Sequence, residues 1–134
     1  MTALLLRDVS RAGHELSRAT LTELPPVVTL HELVRRRVHA EVAAYNADPG
    51  PVYVGFVQPA DAIRHSDGFR MRAPRPLDAD RFVTAVEEAV TAGVLRFRVG
   101  DDEVADLDHE VTVADHDEIT AVLERPVVAR PPEA

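Results

Sequence analysis

The sequence predicts a single α+β domain, and three observations carry that prediction. The chain has 134 residues, the length of one ordinary domain. Strand-like segments occupy both ends of the chain, and two amphipathic helices with clear start and stop signals lie between them.

Residues 3–9 read as a strand, and residues 14–21 return from a turn at Ser10-Arg11-Ala12-Gly13, with Leu16, Ala19 and Leu21 in loose alternation. Pro25-Pro26 breaks the chain. A helix is predicted over residues 30–46, because Thr29-Leu30-His31-Glu32 has the form of a capping box. Leu30, Leu33, Val34, Val38, Val42 and Tyr45 fall on one face at spacings of three and four. Asn46, Asp48, Pro49, Gly50 and Pro51 end it. Residues 52–57 read as a short strand. Residues 58–76 read as a long loop, with a turn signal at Ser66-Asp67-Gly68; a loop of that length is functional, mobile or hides a short element. Asp78 caps a second helix over residues 79–92, whose apolar face is Phe82, Val83, Val86, Ala89 and Val90, and Gly93 stands ready as its C′ residue. Strands follow at 94–99, briefly at Glu103-Val104, at Val111-Thr112-Val113 and at 118–123, separated by Gly100-Asp101-Asp102 and Asp115-His116-Asp117 turns. Residues 127–134 read as a flexible tail after Pro126, leaving 1–126 as the domain.

Composition excludes several chemistries. There is no cysteine, so disulfides, thiol nucleophiles, zinc ribbons and iron–sulfur clusters drop out. All 15 basic residues are arginine, as a GC-rich genome would favour; Schiff-base chemistry and a P-loop lysine are therefore absent. A net charge of −8 argues against nucleic acid as a partner, since phosphate neutralisation needs a basic face. No stretch approaches a membrane span or a secretory leader, so a bacterial cytoplasmic protein without membrane contact is the expectation. Aromatic residues make up only 4% against 46% apolar, so the core must be aliphatic.

The order hairpin, helix, inserted strand and helix, then three strands resembles a ubiquitin-like β-grasp domain. Two blocks carry the resemblance: Val28-Thr29-Leu30-His31-Glu32-Leu33-Val34, and Leu95-Arg96-Phe97-Arg98-Val99-Gly100-Asp101-Asp102-Glu103-Val104 with Ile119 to Leu123 after it. The resemblance implies a mixed sheet packed on one long helix, with residues 47–93 as an inserted strand–loop–helix. Modifiers and sulfur carriers that share this fold act through a C-terminal Gly-Gly. Here the last glycine is Gly100, so the resemblance implies an interaction module or adaptor, with an atypical modifier or carrier as an alternative.

Candidate functional residues are mostly basic. Arg64, Arg70, Arg72 and Arg75 lie in the 58–76 segment with Asp67 the single acid among them; Phe69 and Met71 alternate with them. Exposed arginine beside apolar side chains is the composition of an interface core, so this segment is expected to meet a protein partner. The sheet face of Leu95 to Val99, with Arg96, Phe97 and Arg98, and of Ile119 to Leu123 is expected to give a second contact surface. An arginine-lined pocket for a small anionic ligand, or an enzyme built on one, is the competing reading. No nucleophile elbow, phosphate loop or acid–base pair supports catalysis, so the chain is expected to be non-enzymatic and to need no cofactor. Arg35-Arg36-Arg37 cannot form one patch at about 100° per residue and reads as a solvated helix face. The acidic run over 101–118 lacks EF-hand spacing, and His109 and His116 lack a helical metal-ligand spacing, so no metal site is expected.

Overall fold

A computed structural model describes residues 3–130. The opening hairpin forms as the alternation requires: β1 (Leu4–Ser10) pairs antiparallel with β2 (Glu15–Leu21). A bulge between Asp8 and Val9 leaves Leu16 without a cross-strand partner. After the Pro25-Pro26 break a three-residue strand, β3 (Val27–Thr29), leads into α1 (Leu30–Asn46). The Thr29 hydroxyl caps the helix by accepting from the Glu32 amide at 3.1 Å. The other half of the expected capping box does not form, because Arg35 and Arg36 take the Glu32 carboxylate at 2.7 and 2.8 Å.

The expected strand over 52–57 is shorter, and the expected loop over 58–76 is more structured. β4 (Val52–Tyr53), β5 (Gln58–Pro59), β6 (Ile63–His65) and β7 (Gly68–Arg70) lie in this stretch. β6 and β7 form a hairpin around Ser66-Asp67, and β4 pairs with the far side of β7 to complete a three-stranded sheet. α2 (Ala79–Thr91) follows, with Asp78 accepting from the Asp80 amide at 3.0 Å and Gly93 at φ +75° closing the C-terminus. The closing strands are β8 (Leu95–Val99), β9 (Asp102–Val104), β10 (Glu110–Thr112) and β11 (Glu118–Leu123), with one 3₁₀ turn at Val113–Asp115.

The main sheet is mixed, in the order β2-β1-β11-β8-β9, with β1 and β11 parallel at its centre and the other pairs antiparallel. Parallel neighbours need a crossover, and the whole chain between them supplies it. Alternate residues of β1, β11 and β8 are buried, and all but Asp8 of β1 are apolar: Leu4 and Leu6, Ile119, Ala121 and Leu123, then Leu95, Phe97 and Val99. Together with the buried stripe of α1 they belong to one core cluster running from Leu4 to Ala129. β10 pairs with β3 and ties the crossover to the start of α1.

The inserted segment is fastened to the same core by aromatic contacts. The Tyr53 ring meets Tyr45 of α1 and Phe82 of α2 edge-on, with centroids 5.5 and 5.7 Å apart, and stacks with Phe69 of β7 at 6.4 Å. Asn46 at the end of α1 donates to the Leu77 carbonyl and accepts from its amide, both at 2.8 Å, which fixes the entry to α2. Gly55 is needed where the Tyr53 ring folds over the backbone: a Cβ there would lie 2.6 Å from the Tyr53 Cζ.

The expected flexible tail at 127–134 needs correction at its start. Val127 and Ala129 are buried, the Gln58 amide donates to the Val127 carbonyl at 2.8 Å, and β12 (Val128–Ala129) runs parallel to β5. Apolar burial and backbone pairing hold these residues against the inserted segment. Residues 131–134 lie outside the described residues.

Candidate functional site

The three-stranded sheet β4-β7-β6 sorts the sequence-predicted contact residues by strand alternation. In register, Tyr53, Phe69 and Arg64 form one cross-strand row, and Val52, Arg70 and Ile63 form the next. Tyr53 and Phe69 are buried, with the Arg64 guanidinium stacked over the Phe69 ring at 4.3 Å. The other row is the solvent row. Ile63 is 68% exposed with exposed Arg70 opposite it on β7, and Val54, just past β4, is 62% exposed; among the described residues they are the two most exposed large apolar side chains.

Phe69 and Met71 were expected at a partner interface and are core residues instead, 1% and 7% exposed. Their alternation with arginine is that of a half-buried strand, whose apolar side faces inward. Arg75 is also committed, donating to Asp61 at 3.0 Å. Arg70 reaches Asp67 at only 3.8 Å, and Arg72 is exposed with no carboxylate within ion-pair distance among the described residues. The solvent row therefore carries Ile63 opposite Arg70, with Val54 and Arg72 exposed elsewhere on the segment, while Arg64 lies on the Phe69 side.

The second expected surface is divided in the same way. Phe97 is buried on the inner face of the main sheet. Arg96 is held between Glu103 and Glu124. Arg98 remains exposed and opposite Thr120. Arg7 joins this outer face with contacts to Glu15 and Glu118 at 3.3 and 3.5 Å. Arg7 and Arg96 are thus matched by Glu15, Glu118, Glu103 and Glu124, and Arg98 is the arginine of this strand left without an ion pair among the described residues.

Between the main sheet and the insertion lies a buried polar cluster that was not anticipated. Arg37, expected on a solvated face, is 1% exposed, and Asp8 is 0% exposed. Arg37 Nη2 meets Asp8 Oδ1 at 2.6 Å and donates to Ser17 Oγ at 3.0 Å. Ser17 donates in turn to Asp8 Oδ2 at 2.5 Å. Arg37 Nε donates to Glu41 at 3.2 Å, and the other Glu41 oxygen accepts the Phe56 amide at 3.0 Å. The Arg37 guanidinium also lies over the Phe56 ring at 4.8 Å. The cluster thus links β1, β2, α1 and the start of the inserted segment.

The signal for it was in the spacing. Arg37 lies four residues from Leu33 and three from Val34, inside the apolar stripe of α1, and Asp8 continues the alternation of Leu4 and Leu6. A charged residue in phase with a buried stripe needs a charged partner in phase with another.

Burial pushes the Asp8 carboxyl above its usual range, with Arg37 and Ser17 opposing. Glu41 is raised by burial as well, opposed by Arg37 and the Phe56 amide and pushed further by Asp8. A raised native pKa means the native state holds protons that the unfolded chain has released. Stability from these two groups is therefore full below the unfolded carboxylate value of ~4 and declines as pH rises through the native values. Glu32 acts in the opposite sense: hydrogen bonds from Arg35 and Arg36 lower it to about 2, so its contribution is lost on acidification. As pH rises from the unfolded carboxylate value of ~4 through the raised native values, these two groups are expected to lower the urea midpoint, and Asp8→Asn or Glu41→Gln is expected to flatten that slope. A midpoint that rises over this interval would contradict the assignment.

The cluster lacks the features of a reaction centre. Its carboxylates are satisfied by Arg37, Ser17 and a backbone amide, and neither Asp8 nor Arg37 reaches solvent. Among the described residues no three His, Asp or Glu side chains converge as a metal site, and no helix is long and apolar enough to cross a membrane. Comparisons with protein-family models, with curated proteins and with solved structures each find no match.

Proposed function

We propose that this chain is a non-enzymatic, ubiquitin-like interaction module that binds a partner protein through the solvent face of its inserted β4-β7-β6 sheet. The β-grasp reading is supported by the main sheet, which is mixed, in the order β2-β1-β11-β8-β9 with β1 and β11 parallel, and shares one core with α1; the resemblance implies a mixed sheet on one long helix. The single observation that carries the binding assignment is the composition of the inserted face. Ile63 is left in water opposite Arg70, with Val54 and Arg72 also exposed on the segment, whereas Glu32, Arg35 and Arg36 on α1 and Arg96, Glu103 and Glu124 on the main sheet pair with one another. Exposed aliphatic side chains on a sheet face that also carries exposed arginine fit an apolar partner surface with an acidic border.

The sequence pointed to Arg64, Phe69, Arg70, Met71, Arg72 and Arg75, with Arg96, Phe97 and Arg98 as a second surface; the reading now rests on Arg70 and Arg72 from that set, with Ile63 and Val54 added. In an affinity pull-down from the native host, Ile63→Asp is expected to remove a protein retained by the wild type. Arg70→Ala with Arg72→Ala is expected to weaken its retention about tenfold. Retention unchanged in both variants, with thermal melts matching the wild type, would show that this face is not the contact.

A further inference from the structure

The inward turn of Arg64 leads to a second site, on the opposite side of β6 from the proposed partner face. Arg64 borders a groove of about 360 Å³ between the insertion and the turn end of the main sheet. Leu16, Phe56, Phe69, Leu123 and Val127 give the groove an apolar floor. Leu16 is the residue that the β1–β2 bulge leaves unpaired, and it packs against the core there. The volume lies at the small end of the range for ligand pockets.

The charges around the groove are unbalanced. Arg11, Arg64 and Arg125 line it, with Glu124 as the single acid. Glu124 is already bound by Arg96, and Arg11 approaches it only to 3.6 Å. Arg125 and Arg64 have no carboxylate within ion-pair distance among the described residues. Arg64 feels Asp8 only through space, and Asp8 is taken by Arg37 and Ser17. Partial burial lowers the Arg64 pKa below the usual guanidinium value, since its charge has lost water and gained no anion in return. A half-buried cation on an apolar wall, in a protein of net charge −8, is a local exception that an anionic ligand would complete.

We infer that the groove bordered by Arg64 is a binding site for a small monocarboxylate with an apolar body. The carboxylate would be held by Arg64 at the wall and the hydrocarbon part laid on Leu16, Phe56 and Leu123. A planar guanidinium already fixed on the Phe69 ring offers its N–H edge to a carboxylate with little further ordering. The apolar floor selects against inorganic anions, and the unpaired Arg64 and Arg125 charges select against neutral or cationic chains. This site is independent of the proposed partner face, which uses Ile63 and Arg70 on the other side of the strands.

The test is an amide NMR titration of the full chain with sodium octanoate, with octanol, octylammonium and inorganic phosphate as comparison probes. Octanoate is expected to shift the amides of Leu16, Phe56, Gln58, Phe69 and Leu123 in a saturable way. Octanol is expected to bind about tenfold more weakly, octylammonium more weakly still, and phosphate to leave these amides unmoved. Arg64→Gln is expected to weaken octanoate about tenfold or more, the worth of a charge-assisted hydrogen bond, while Arg98→Gln leaves it unchanged. Should Arg64→Gln lose its native amide spectrum, Arg125→Gln with Arg11→Gln gives a second reading, in which a several-fold loss is expected. Equal binding of octanol and octanoate, shifts by phosphate alone, shifts confined to other residues, or no saturable shift would each overturn the site.

Discussion

Replacing Arg37 by alanine is expected to destabilise the protein by about 3–5 kcal/mol, the largest loss from any single charge in the chain. The cost does not come from losing an attraction alone. Asp8 and Glu41 would be left in the interior with no cation, and a buried carboxylate without a partner is far costlier than a satisfied pair. Arg37 contacts Asp8, Ser17 and Glu41 together, so the loss is felt in β1, β2 and α1 at once. Replacing Asp8, Arg37 and Glu41 together with apolar residues of similar volume is expected to recover most of the stability, because the desolvation cost disappears with the charges. Urea denaturation of the two variants decides the matter. If Arg37→Ala loses less than about 1 kcal/mol, the cluster is not the buried scaffold described above.

The second large effect separates the two sides of one strand. Phe69→Ala is expected to cost about 3–5 kcal/mol, through lost burial and the cavity left beside Tyr53. Arg70→Ala, its neighbour on the solvent side, is expected to change stability by no more than about 0.5 kcal/mol. The same denaturation measurement reads both. A mild Phe69→Ala would return that side chain to the surface, where the alternation with arginine first suggested it.

That pair also shows what was legible in the sequence. Both helices could be read because caps and spacing agreed: Thr29 and Asp78 start them, and Gly93 closes the second. The opening hairpin and the strands at 94–99 and 118–123 were legible for a similar reason, alternation bounded by turn residues. The 58–76 segment was harder, because strands of two and three residues carry too little alternation to stand out from a loop. Its arginines could be seen, but which face each took depended on pairing with β4, which lies more than ten residues away in sequence. Arg37 and Asp8 show a different limit. Their positions were in phase with buried stripes, yet arginine and aspartate ordinarily mark the solvent side, and only the meeting of the two stripes supplies each with its partner. The groove at Arg64 was invisible for the same reason, since its walls come from the β1–β2 turn, the end of β11 and the insertion.

The central claim is that the inserted sheet, through its solvent row, is where this molecule meets another protein. Site-specific photo-crosslinking in the native host tests it most directly, with a photoreactive residue placed in turn at Ile63, at Val54 and at Thr120 on the outer face of the main sheet. The expected result is one discrete crosslinked band shared by positions 63 and 54, abolished when Arg70 and Arg72 are also replaced by alanine, with only background at position 120. A band from position 120 with none from 63 or 54 would place the contact on the main sheet and contradict the assignment.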